Sequence, residues 1–387
     1  MKIRIKTIII LILIMVSLCA SIKTEVVYAD SLSDSVEEQL ENLDFSKIEE
    51  YYEGISNNDD KTVLSLIKGL LNGEYNQIGY DSIKDYLLEI FLVNVKKYIA
   101  PLISLILISV IGTLFLDAFN KKSSEGLKEI INFVIVLSSL LTLIPLFKNI
   151  YNETLDCLQK INNINQIMSP IILTLMISSG ANVSANVYKP GVNLFSNVII
   201  SVFIKIVIPL VIVLTILSII GEFSKDVKLG RLCDFICSTI KWIIGIVTTI
   251  FSIYLSIQGI SSAIYDGISI KATKYALSNS IPIIGGFVKD GFDLILAGSV
   301  LIKNSVGIVG IFLLFNTIIS TIISLGIFSL LLKLVAGITE NFSGSKTSQL
   351  CSIFSRSVQF VNVSVIMVGF MMFLSNLLLV LTANSFF

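Results

Sequence analysis

The chain has 387 residues, of which 54% are hydrophobic and 14% charged, with 28 Lys and Arg balanced by 28 Asp and Glu. A charged fraction so far below the roughly 25% of soluble domains excludes an ordinary water-soluble fold, and a net charge of zero gives no basic footprint for nucleic acid. With no histidine and only five scattered cysteines, the commonest metal ligand and general base are missing and no disulfide framework is spelled out. Neither an enzyme nor a cofactor site is expected.

The first element is a targeting segment. Lys2, Arg4 and Lys6 precede an apolar stretch from Thr7 to Ala20, too short for the roughly 20 residues that span a bilayer but right for a signal peptide. Val27-Tyr28-Ala29 places cleavage between Ala29 and Asp30, with an uncleaved anchor as the alternative. Leu18 before Cys19 argues against lipidation. From Asp30 to Asp60 there are eleven Asp or Glu residues against the single Lys47, a solvated stretch that lipid would not accept. Apolar residues then recur at three-to-four spacing through Leu40, Leu43 and Ile48, Val63, Ile67 and Leu70, and Ile83, Leu87 and Ile90. That spacing predicts short amphipathic helices, so residues 30–98 form a small acidic helical domain outside the membrane. Its apolar stripes either pack on one another or dock a further extracytoplasmic protein.

Beyond Lys96 and Lys97 the texture changes. Ile99–Leu116 and Ile130–Phe147 each run eighteen residues without a charge and predict a helical hairpin joined by the loop around Lys121, Lys122 and Lys128. Further uncharged runs follow at Ile161–Tyr188, Trp242–Tyr265, Asn304–Leu332 and Ser357–Phe387, and Pro190–Gly221 is interrupted only by Lys205. Backbone hydrogen bonding in lipid permits helices or closed barrels, and none of these runs alternates with the period of barrel strands. The expected fold is all-α: residues 99–387 form a polytopic transmembrane helix bundle of about six or seven spans plus re-entrant segments. Ile161–Tyr188 decides the count. If it crosses, there are seven spans; if it only dips in, six spans put Lys225, Lys228, Arg231 and Lys241 in the cytoplasm, in better accord with the positive-inside tendency. Asn162, Asn163, Asn165, Pro170 and Gly180 make it polar and breakable, which favours re-entry.

Few side-chain constellations point to chemistry. Ser343-Gly344-Ser345-Lys346 fits Ser-x-x-Lys without the partner motifs of acyl-transfer enzymes, and it lacks the glycine spacing of a phosphate loop. Cys233 and Cys237 read as free thiols. Lys205 sits inside a span, where an ionisable residue faces a partner or an aqueous path unless it snorkels to the interface, and Pro209 loosens the helix just beyond it. Within 266–303, Pro282, Gly285, Gly286, Gly291 and Gly298 interrupt apolar residues around Lys289, Asp290 and Asp293. This predicts a broken or re-entrant pair of half-helices. The glycines are candidates for close helix packing, and Lys205, Lys289, Asp290 and Asp293 are candidate pore or gate residues.

Ser178-Ser179-Gly180-Ala181 through Lys189-Pro190-Gly191 belongs with a second informative segment. It runs from Asp266-Gly267-Ile268-Ser269-Ile270-Lys271-Ala272-Thr273-Lys274 through Ile281-Pro282-Ile283-Ile284-Gly285-Gly286 to Ala297-Gly298-Ser299. Together they resemble the stage III sporulation protein AE family of endospore-forming bacteria. The likeness covers essentially the whole chain, in the order signal peptide, acidic helical segment and bundle. It implies a subunit of the multiprotein channel that joins mother cell and forespore. A cytoplasmic ATPase, the other stage III sporulation A-operon membrane proteins and, indirectly, stage II sporulation protein Q would be its partners. The family supplies no catalytic residues to carry over. A non-enzymatic channel or export subunit is therefore the leading expectation; a secondary transporter, and a membrane scaffold that recruits ring-forming partners, are the alternatives.

Overall fold

A computed structural model describes residues 46, 49, 62–71, 80–119, 125–223, 228–280, 285–342 and 346–382. The cleavage site at Ala29 and Asp30 and nearly all of the acidic stretch lie outside them. The described elements are α1 (Val63–Leu71), α2 (Tyr80–Phe119), α3 (Glu125–Ser178) and α4 (Asn182–Val202). A π-helical turn (Phe203–Val207) leads into α5 (Ile208–Phe223), followed by α6 (Gly230–Ser280), α7 (Gly285–Thr339) and α8 (Lys346–Leu381). Six helices are long and apolar enough to cross a membrane: Asp85–Ala118, Gly126–Ser178, Asn182–Phe223, Gly230–Ser256, Phe292–Thr339 and Lys346–Leu381. The all-α polytopic class expected from the uncharged runs is the one observed.

The bundle is organised around α8. Along its length only Ser352, Arg356 and Leu381 are exposed, and it packs against α7 most extensively, then α3 and α5. Small residues permit that approach. A methyl group at Gly307 of α7 would overlap Val380 of α8, one at Gly310 would overlap Met168 of α3, and one at Gly369 of α8 would lie 2.9 Å from Ile318. Polar side chains close the remaining gaps by bonding between helices rather than to water. Ser329 meets Ser355 at 3.0 Å, Thr215 donates to Ser357 at 2.6 Å, and Tyr98 meets Ser324 at 3.0 Å while its ring packs on Phe328.

Two predicted segments take a different form. Ile161–Tyr188 is not a separate dip into the membrane: Ile161–Ser178 is the second half of the 54-residue α3, and the chain turns only at Ser179 and Gly180. The polar residues that suggested a break are accommodated inside the helix. Asn165 accepts a hydrogen bond from Asn376 of α8, Gln166 donates to Asn197 of α4 at 2.9 Å, and Asn163 faces outward. Pro170 removes one backbone donor, a loss that the packing on α4, α7 and α8 tolerates. In 266–303, Asp266–Ser280 continues the 51-residue α6 and Gly285–Lys303 opens the 55-residue α7. The two are ends of long helices, and 281–284 lie outside the described residues. The loosening expected near Lys205 is the π turn. Pro209 cannot donate to the carbonyl of Lys205, and the Ile208 N–H reaches back to Phe203 instead.

Candidate functional site at the α3–α4 corner

The corner begins with a helix stop. Gly180 has φ of 83°, the left-handed conformation a glycine adopts without penalty. The Ala181 N–H bonds to Met176 and the Gly180 N–H to Ile177, at 2.9 and 3.0 Å. This is the Schellman arrangement that closes α3. Only a turn this tight lets α4 start at once and run back along α3.

Starting α4 so abruptly leaves its first N–H groups open, and the N-cap residue Ala181 has no side chain to serve them. The acceptor comes from 82 positions further on. Asp266 of α6 accepts the Val183 N–H on Oδ1 at 2.8 Å and the Ser184 N–H on Oδ2 at 3.0 Å. Its side chain is 0% exposed, so the carboxylate is satisfied by two donors and by the positive end of the α4 dipole. One turn later Ile270 seats against Gly180, together with Leu296 of α7. Space for a side chain at Gly180 is therefore lacking on both counts.

A second buried charge lies nearby in the sequence order of α7. Lys303 is 0% exposed and donates to the backbone carbonyl of Thr382 at the end of α8, where a cation meets the negative end of a helix dipole. Thr382 in turn donates through its hydroxyl to Tyr188 of α4 at 3.2 Å. The carboxylate thus holds α6 to the start of α4, and the ammonium holds α7 to the end of α8. Two buried oxygens here, Ser184 Oγ and Asn304 Oδ1, have no hydrogen-bond partner among the described residues.

Each charge is matched to a helix terminus and no nucleophile is set against a base, so the arrangement joins helices electrostatically. No group of His, Cys, Asp or Glu able to hold a metal occurs among the described residues, and Cys157, Cys233, Cys237 and Cys351 are free thiols. At the opposite end, α5, α6 and α8 leave a cavity of about 260 Å³ whose lining includes Glu222, Cys233, Asp234 and Arg356.

The residues singled out from sequence are dispersed. Lys205 is exposed in the π turn, Lys289 is half-buried in the first turns of α7, and Asp293 pairs with Lys274 of α6 at 2.8 Å. Gly298 is buried; the surroundings of Gly285, Gly286, Asp290 and Gly291 lie outside the described side chains. The two informative sequence segments do come together, since Asp266 and Ile270 of one close on Gly180 and the start of α4 in the other. Asp266 and Lys303 were not picked out by sequence reasoning. The available signal was a charge beside an apolar run with no opposite charge three or four residues away, which leaves a partner on another helix as the remaining source of compensation.

Comparison with known proteins gives two findings. Residues 62–383 match the family described as Stage III sporulation protein AE. The chain is similar to Stage III sporulation protein AE of Bacillus subtilis (strain 168), with 27% identity over 366 residues covering 92% of this chain and 90% of that protein. No solved structure matches.

Proposed function

The chain belongs to the stage III sporulation protein AE family, and on that premise we propose that it is the large, non-enzymatic membrane subunit of a channel or export complex joining mother cell and forespore. It sits in the mother-cell membrane around the forespore, with residues 30–98 in the intermembrane space, and is needed for late forespore gene expression. Its partners are membrane lipid, the other stage III sporulation A-operon membrane proteins and their ATPase, and indirectly stage II sporulation protein Q.

The observation that carries this reading is the filled centre of the bundle. An axial helix enclosed on nearly every side and tied at its end by Lys303 suits a frame that other subunits complete, with energy supplied by the partner ATPase. Lys205, Lys289, Asp290 and Asp293 are the gate candidates of this reading.

Deleting the gene in its sporulating host should abolish a late forespore reporter while an early one still fires, and the wild-type gene should restore it. Full late expression in the deletion strain would refute the role. Asp290→Asn with Asp293→Asn should leave the protein abundant in membranes and the late reporter silent; normal sporulation of that variant would remove the gate assignment.

A further inference from the structure

The 54 residues of α3 make a rod of about 81 Å at 1.5 Å per residue, against a hydrocarbon layer of about 30 Å. Both halves are apolar, yet they cannot both lie in one bilayer. The outward face of the helix separates them. Between Ile130 and Ile144 the exposed side chains include Phe133, Val134, Leu137 and Leu141. From Asn152 onward they are mainly polar, Asn152, Asp156, Gln159, Asn163, Gln166 and Thr174, with Pro170 and, in the last turn, Ile177 as the apolar exceptions. Most apolar residues of the second half point inward instead: Ile161, Ile164, Met168, Ile172 and Met176 are all buried. One face suits acyl chains and the other suits water.

Charges lie at this level on three neighbouring elements. Lys97 of α2 pairs with Glu153 of α3 at 2.8 Å, and Asp156 pairs with Lys160 at the same distance. The bond between Gln166 and Asn197 shows that α3 and α4 run antiparallel, which brings the exposed Lys205 of the π turn to about the level of these pairs. Below this belt α2 exposes Ile103, Leu107, Ile111 and Leu114, and α5 exposes Val213, Ile216 and Ile220. The stretch from Ile130 to Tyr151 rises about 33 Å and that from Tyr98 to Leu116 about 28 Å, each close to the thickness of the hydrocarbon layer.

We infer that the bilayer encloses only the half of the bundle built from the end of α2, the start of α3 and α5, and that the hairpin of late α3 and α4 stands in water as a helical head. Along α6 the outward face is mixed, with Arg231, Asp234 and Lys241 set among Leu232, Phe235, Trp242 and Ile246, so this helix marks no boundary of its own. The corner capped by Asp266 then lies within the head, outside the lipid. The apolarity of Ile161–Tyr188 comes from the core of that head. The boundary holds whatever the complex conducts.

The test is cysteine accessibility in the full-length protein, in membranes opened to a bilayer-impermeant maleimide on both faces. Single replacements Leu137→Cys and Leu141→Cys report the first half of α3; Asn163→Cys, Gln166→Cys and Thr174→Cys report the second. All five positions are exposed; of the native thiols Cys157, Cys237 and Cys351 are buried and Cys233 is half-buried, and the labelling of the wild-type protein is the background. The second set should label at least tenfold above that background before detergent, and the first set only after detergent. Protection of Asn163→Cys and Gln166→Cys to the level of Leu141→Cys would overturn the inference, as would free labelling of Leu137→Cys in intact membranes.

Discussion

Helices α2 and α8 have nearly the same apolar texture and meet opposite fates. Every third or fourth residue of α2 beyond Lys97 turns outward, through Ile99, Ile103, Leu107, Ile111 and Leu114. Helix α8 is enclosed, and it carries Ser355, Ser357, Ser364, Ser375 and Asn376 among its buried residues. The contrast teaches that apolarity says which segments avoid water but not what they face instead. Against lipid a helix presents bulk; against other helices it presents small and hydrogen-bonding residues.

The strongest challenge to that contrast is to put bulk where helices meet. Gly307→Leu and Gly310→Leu drive side chains into Val380 and Met168, overpacking that costs about 1–3 kcal/mol or more at each site. Membrane levels measured by quantitative immunoblot should fall severalfold. Gly337→Leu on the same helix meets nothing within 4 Å and should leave the level unchanged. If Gly307→Leu accumulates as well as Gly337→Leu, α8 is not the enclosed axis.

Next in size is the capped corner. Asp266→Ala leaves the Val183 and Ser184 N–H groups without their acceptor, at about 1–3 kcal/mol. The expected result is a lower melting temperature in detergent and faster proteolysis near 178–184. Asp266→Asn keeps one acceptor oxygen and should lose less. Equal melting of Asp266→Ala and wild type would show that α4 does not depend on α6 for its start.

The smallest effects separate polar contacts inside from apolar surface outside. Asn376→Val strands Asn165, whereas Asn165→Val with Asn376→Val removes the pair together. A double-mutant cycle on thermal stability should show coupling of about 0.5 kcal/mol or more, as for residues in direct contact. Leu114→Ala, on the outward face of α2, should change stability by less than about 0.5 kcal/mol. A larger loss at Leu114 than at Asn376 would reverse the comparison.

How much of this was legible in the sequence depended on where each signal resided. Uncharged runs are local, so the all-α polytopic class followed from them, and Pro209 beside Lys205 located the π turn by its missing donor. Continuity of α3 through its polar residues was hidden because Asn376, which donates to Asn165, and Asn197, which accepts from Gln166, lie on other helices. Gly285, Gly286, Gly291 and Gly298 were prominent because they cluster, whereas Gly307, Gly310 and Gly369 are ordinary in sequence and distinguished only by what faces them. Asp266 and Lys303 looked like edges of segments. Their meaning lies in two helix ends that no spacing within their own helices could reveal.

The position of α8 also has a consequence in time. It is at once the most enclosed of the described helices and the last to leave the ribosome, so the helices around it must enter the membrane as an unfinished ring with its inner faces uncovered. At about 5–20 residues per second, the 36 residues of α8 take seconds to appear, and until then Phe147, Gly307 and Ile318 lack the Phe354, Val380 and Gly369 that face them. A chain stopped before Lys346 would retain most of the spans and none of the closure, which makes it a substrate for membrane proteolysis. Nascent protein should therefore acquire protease resistance in a single late step, after the latch of Lys303 on Thr382 has formed.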